Sequence, residues 1–115
     1  MFSVLPIIGL PEILAGDDLG AFLTARLAEG EPGLQSGDIL VVTQKIVSKA
    51  EGRYVDLADM VPSSEAKALA SEVNKDPALV ELVLRESSAV VRKAPNILIT
   101  RHRSGHVMAN AGIDA

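Results

Sequence analysis

The chain has 115 residues, near the commonest size of a single domain. It is 48% hydrophobic and 23% charged, with a net charge of −4 and a pI near 5.1, a balance that argues against generic nucleic-acid binding. With no Cys it has neither a disulfide framework nor a thiolate metal site, and with no Trp, one Tyr and two Phe its core must be aliphatic. The start, Met-Phe-Ser-Val-Leu-Pro, is unlike a secretory signal, and no apolar run approaches the ~18 residues that span a bilayer. The expectation is a soluble, cytoplasmic protein.

Taken in chain order, residues 2–8 are apolar and β-branched and predict a first strand, with Pro6 marking an edge or bulge. Gly9-Leu10-Pro11 is a break. A helix is predicted from Gly16-Asp17-Asp18 to about Ala28, with Asp17 as its cap and Leu19, Phe22, Leu23 and Leu27 as an apolar stripe. Residues 30–37 hold three glycines and a proline and predict a loop, and residues 39–42 predict a short buried strand.

That strand empties into a polar segment with Lys45 and Lys49 four apart. If the segment is helical, Lys45, Ser48 and Lys49 share one face, and the two like charges repel by roughly 0.2–0.5 kcal/mol. A bound anion at the mouth of the strand, phosphate above all, would remove that cost. Two solvated surface lysines are the plainer alternative. Ligands do gather at the carboxyl ends of strands in mixed α/β architectures, which is what favours the anion.

Residues 51–53 predict a turn and 54–57 a short strand. Ser63 caps a predicted helix carrying Ala66, Ala68, Leu69, Ala70 and Val73, and Asp76-Pro77 starts another that runs to about Glu86 with Leu and Val almost all round. Residues 89–92, 97–100 and 106–109 predict three closing strands, joined by turns at Pro95-Asn96 and Arg103-Ser104-Gly105. The C-terminal third also gathers Arg92, Lys93, Arg101, His102, Arg103 and His106 into a basic patch; the two histidines flank a turn, a poor arrangement for a metal. The whole predicts an α+β domain with a mixed sheet and three to four helices, ending abruptly on polar residues after an apolar strand, as though cut.

Residues 43–53, with their Val-Ser-Lys-Ala-Glu-Gly-Arg string, read together with Asn110-Ala111-Gly112-Ile113-Asp114, closely resemble the coenzyme F420-0:γ-glutamyl ligase family. Gly9-Leu10-Pro11 before Gly16-Asp17-Asp18, and Lys75-Asp76-Pro77 before a helix ending Glu86-Ser87, extend the resemblance along all 115 residues. The resemblance implies a GTP-dependent ligase that adds L-glutamate in γ-linkage to coenzyme F420-0 through an acyl phosphate. It implies a Mg²⁺ or Mn²⁺ requirement and a homodimer, with neither nucleic acid nor membrane as partner. Carried over residue by residue, it places Leu10, Pro11, Glu12, Ile13, Gln44, Lys45 and Lys49 at the GTP, Lys49 first among them as phosphate partner, and Asp114 at the metal, with Gly112 allowing a close backbone turn. Members of the family are longer, so residues 1–115 are expected to be the N-terminal part of a larger ligase fold, cut after Asn-Ala-Gly-Ile-Asp and inactive alone. The alternative is a non-catalytic nucleotide- or coenzyme-binding module, or a dimerisation domain.

Overall fold

Four α-helices and a three-stranded antiparallel sheet form in the computed structural model, which describes residues 1–115. The class is α+β. The chain divides into two units, Met1–Tyr54 and Val55–Ala115. No helix is long and apolar enough to cross a membrane.

In the first unit, α1 (Leu19–Glu29) begins one residue later than its acidic pair predicts. Asp18, not Asp17, is the cap, its Oδ1 accepting the Ala21 amide at 3.0 Å. Asp17 caps the preceding turn instead, its Oδ2 accepting the Leu14 amide at 2.7 Å. The polar segment, whose helicity the sequence leaves conditional, forms α2 (Gln44–Ala50). The strands predicted at 2–8 and 39–42 do not form, and both segments run without ladder partners. A strand, unlike a helix, cannot satisfy its own backbone, so its apolar pattern alone does not make one.

In the second unit the predicted strand at 54–57 is replaced by a 3₁₀ turn, Leu57–Asp59, because the Asp56 carboxylate accepts the Ala58 amide at 2.9 Å and closes a local turn. Ser63 caps α3 (Ser64–Val73), and Asp76 with Pro77 caps and opens α4 (Pro77–Glu86). Between them Asn74 ends α3 in the left-handed conformation (φ 51°). Strands β1 (Ser87–Ala94), β2 (Ile97–His102) and β3 (Val107–Ala109) follow in the order β1-β2-β3, each antiparallel to the next. The mixed sheet expected from the sequence is thus a purely antiparallel one. Pro95 followed by a left-handed Asn96 (φ 64°) matches the proline and positive-φ requirement of a type II turn, joining β1 to β2.

One face of the sheet packs on α3 and α4. Ala66, Leu69, Ala70, Val73, Val80, Val83, Leu98 and Ala111 form the core, with Leu79, Leu84 and Ile113 against it. It is wholly aliphatic. The α4 positions read as apolar all round include one buried charge, Glu81. Ser63 donates to Glu81 Oε2 from its hydroxyl (2.9 Å) and its amide (3.3 Å), and Arg85 Nε donates to Oε1 at 3.2 Å. These bonds, the Ser63 hydroxyl first, hold the carboxyl below its usual range against the opposing effect of burial. Ser63 also accepts the Ala66 amide at 3.1 Å, so one side chain caps α3 and anchors it to α4.

Candidate functional site

Seven of the eight residues assigned to ligands lie in the first unit, on two stretches whose neighbouring residues, 15–16 and 50–52, are in contact. The first stretch, Leu10 to Ile13, follows Gly9, whose φ of +81° favours glycine. Ile13 is buried and anchors the stretch, Leu10 is half-buried, and Pro11 and Glu12 are exposed. Immediately beyond, the Gly16 amide donates to the Ala50 carbonyl at 2.9 Å, and Gly52 approaches Ala15 so closely that a Cβ there would touch its methyl at 3.5 Å. The chain just beyond the Leu10–Ile13 stretch, at Ala15 and Gly16, is therefore tied to the C-terminal end of α2.

α2 carries the second stretch. Gln44 and Lys45 are exposed in its first turn, while Ser48 and Lys49 are half-buried in its last. With a rise of about 1.5 Å per residue, Lys45 lies about 6 Å along the helix from Lys49. Lys49 is thus the lysine next to the junction, and its ammonium takes part in none of the observed salt bridges. The end of α2 is closed by Glu51, Gly52 and Arg53 amides donating to the carbonyls of Val47, Lys49 and Ser48 at 2.9–3.0 Å. Both lysines therefore sit on a short helix braced at one end.

Asp114 belongs to the second unit. It is exposed and follows a 3₁₀ turn, Asn110–Gly112, in which Asn110, Ala111 and Gly112 all take positive φ (51°, 53° and 76°). Two consecutive non-glycine residues in that region cost on the order of 1–3 kcal/mol each, and the burial of Ala111 and the packing of Ile113 on the core hold them there. Gly112 supplies the close turn its position predicts. The Asn110 Oδ1 atom is buried without a hydrogen-bond partner in the chain.

A divalent cation needs several oxygen ligands, and no group of three or more His, Cys, Asp or Glu side chains converges anywhere in the 115 residues. Asp114 offers one carboxylate, so the residues present do not fit a complete metal site. The two histidines are engaged differently. His102 Nδ1 receives the Ser104 amide at 3.0 Å, which leaves its proton on Nε2, facing Glu86 Oε2 at 3.3 Å. Ser104 Oγ lies 2.8 Å from His102 Nδ1 and 3.0 Å from His106 Nδ1, closing the β2–β3 turn. Much of the basic patch is similarly engaged: Lys93 pairs with Glu72 at 2.8 Å, and Arg103 donates to the Arg85 carbonyl at 2.6 Å.

One residue beside the candidate site has no counterpart in the sequence reading. Arg26, in the last turn of α1, donates from Nε to the Ile8 carbonyl at 3.0 Å and pairs with Glu29 at 3.0 Å. The contact spans eighteen residues, and nothing local announces it. The nearest signal is the glycine at position 9, which any tight turn would also explain.

The family model for F420-0:Gamma-glutamyl ligase matches residues 7–115. The chain is 43% identical over 112 residues to the coenzyme F420:L-glutamate ligase of Methanothermobacter thermautotrophicus, covering 97% of this chain and 44% of that protein. It is 46% identical over 103 residues to the protein of the same name from Methanopyrus kandleri, covering 90% and 39%. The corresponding protein of Halorubrum lacusprofundi is 43% identical over 112 residues, covering 92% and 42%. The chain therefore spans about two-fifths of the length of these relatives. A match along nearly all of its residues, at this identity, means that the chain belongs to the F420-0:Gamma-glutamyl ligase family.

Proposed function

We propose that these 115 residues are part of a longer enzyme, a ligase that uses GTP to join L-glutamate in γ-linkage to coenzyme F420-0, and that they supply part of its nucleotide site while being inactive alone. Family membership and the names of the relatives support the ligase class and the coenzyme. The observation that supports the nucleotide assignment is the junction in the first unit, where the Gly16–Ala50 hydrogen bond ties the segment just after Leu10 to Ile13 to the end of the helix that bears Lys45 and Lys49.

In the proposed reaction a carboxylate oxygen of the coenzyme precursor attacks the γ-phosphorus of GTP. The bond to the bridging oxygen breaks, GDP leaves, and an acyl phosphate forms. The glutamate amine then attacks the acyl carbon, loses a proton and expels inorganic phosphate, leaving an amide. Such a site must neutralise a polyanion and keep water from the activated acyl group. In this reading Lys49, and Lys45 one turn back, would pair with phosphate oxygens, while Leu10, Pro11, Ile13, Glu12 and Gln44 would make the remaining contacts with the nucleotide. A divalent cation would supply charge neutralisation; Asp114 is proposed as one ligand among several, the others lying outside these residues. A homodimer is the proposed assembly.

The test is GTP binding to the full-length enzyme. Lys49→Ala is expected to weaken it by about 1.5–3 kcal/mol, the scale of a lost charge-assisted hydrogen bond. Unchanged affinity would remove Lys49 from the site. Asp114→Asn is expected to raise the metal concentration needed for turnover while leaving the circular dichroism spectrum intact.

A further inference from the structure

We infer that Arg26 is a positioning residue for the nucleotide loop: from α1 it clamps the Ile8–Gly9 peptide and so sets the path of Leu10 to Ile13. The inference rests on the nucleotide reading above.

Three observations converge on the same few atoms. Arg26 Nε donates to the Ile8 carbonyl at 3.0 Å, which fixes the peptide entering Gly9. The Nη1 atom bonds Glu29 Oε2 at 3.0 Å, one turn along α1, so the guanidinium is held from its other side and its rotamer is restricted. Gly9 then lies directly against the guanidinium: a Cβ at that position would stand 2.7 Å from Nη2 and 2.9 Å from Cζ, at a φ of +81° that a side chain resists. The glycine is needed twice over, for its backbone conformation and for the arginine beside it.

The geometry suits arginine and not lysine. The guanidinium is a planar fork that can donate to a carbonyl and a carboxylate at once, whereas an ammonium on a flexible stem must choose a geometry for each. The half-exposed side chain makes no use of a buried pocket, so its contribution comes from these directed bonds. Beyond Gly9, the stretch is held at its far end by the Leu14 amide on Asp17 and the Gly16 amide on Ala50. Arg26 is the near-end anchor. With both ends fixed, the four residues between them have a defined path; with the near end released, they do not.

The full-length enzyme tests this with Arg26→Ala, Arg26→Lys, Gly9→Ala and Glu29→Gln. Arg26→Ala should raise KM for GTP by about ten- to a hundredfold with kcat within about twofold, the pattern of lost ground-state positioning. Gly9→Ala should act in the same direction, Arg26→Lys should recover only part of the loss, and Glu29→Gln, which spares the bond to Ile8, should stay near wild type. Hydrogen exchange supplies a readout independent of GTP: the Leu14 and Gly16 amides, hydrogen-bonded at the far end of the stretch, should exchange faster in Arg26→Ala while those of α1 do not.

If Arg26→Ala lowers the melting temperature but leaves both KM and loop exchange at wild-type values, the residue is merely structural and the inference is overturned. If Lys49→Ala raises KM and Arg26→Ala does not, the inference fails while the nucleotide reading stands. If the loop loosens in Arg26→Ala but neither variant alters KM, the nucleotide reading fails and takes the inference with it.

Discussion

Valine behaves in two opposite ways in this chain. Val73, Val80 and Val83 in the second unit are fully buried, whereas Val4 and Val41 in the first are 82% and 87% exposed. The residue type and the local apolar pattern are alike; the difference is what lies opposite. In the second unit two capped helices lay their apolar faces on an antiparallel sheet whose strands are neighbours in sequence, so every partner is supplied within about sixty residues of chain. In the first unit, residues 2–8 and 39–42 have the composition of strands and no ladder within the 115 residues. Burying one such side chain is worth about 1.5–3 kcal/mol, so the second unit gathers stabilisation that these segments of the first do not. The first unit's order comes instead from directed polar contacts: the Arg26 clamp, the Asp17 and Asp18 caps, and the Gly16–Ala50 bond.

The contrast can be broken by substitution. Leu98→Ala, at a side chain with 1% exposure, should cost about 2–5 kcal/mol in denaturant unfolding of the 115-residue chain. A cost under 1 kcal/mol would mean that the core is looser than its burial implies. Ser63→Ala should cost about 0.5–2 kcal/mol as a lost helix cap, and it releases Glu81 at the same time. Val41→Ala should move stability by no more than about 0.5 kcal/mol in either direction. A core-sized loss there would show that residues 39–42 are covered after all.

The pH dependence sharpens the comparison. The Glu81 carboxyl is held below its unfolded value of about 4.3 by Ser63 and Arg85. Its contribution to stability is therefore present above that value and is lost as pH falls through the lower folded one. Wild type should lose stability across that acid window more steeply than Glu81→Gln. Equal slopes for the two would mean that the Ser63 bonds do not favour the charged form.

Helices were legible before the fold was known, and for a local reason. A helix closes its hydrogen bonds within four residues, and its caps lie beside it, so Ser63 and Asp76-Pro77 could be read directly, whereas residues 44–50, with no side-chain cap, were helical only conditionally. The one-residue error at Asp17 arose because two adjacent carboxylates can each cap, and only the position of Leu14 decides which takes the turn and which the helix. The closing strands were also legible, since each pairs with its sequence neighbour across a turn with recognisable chemistry. The strands expected at 2–8, 39–42 and 54–57 were not, because pairing depends on partners that no local pattern contains.

The sequence by itself determined the aliphatic core, the caps of α3 and α4, the hairpin turns and the family, because these follow from residue type, short-range spacing and strings of matched residues. It also picked out Lys49 and the Leu10–Ile13 stretch. Only the tertiary structure decided that Gly16 bonds the end of the Lys49 helix, that Arg26 reaches back across eighteen residues to hold the Ile8 carbonyl ahead of that stretch, and that a glutamate can sit buried on α4. Each of those depends on a hydrogen bond or ion pair between residues distant in the chain, and such a bond exists only once the backbone has brought its two ends within about 3 Å.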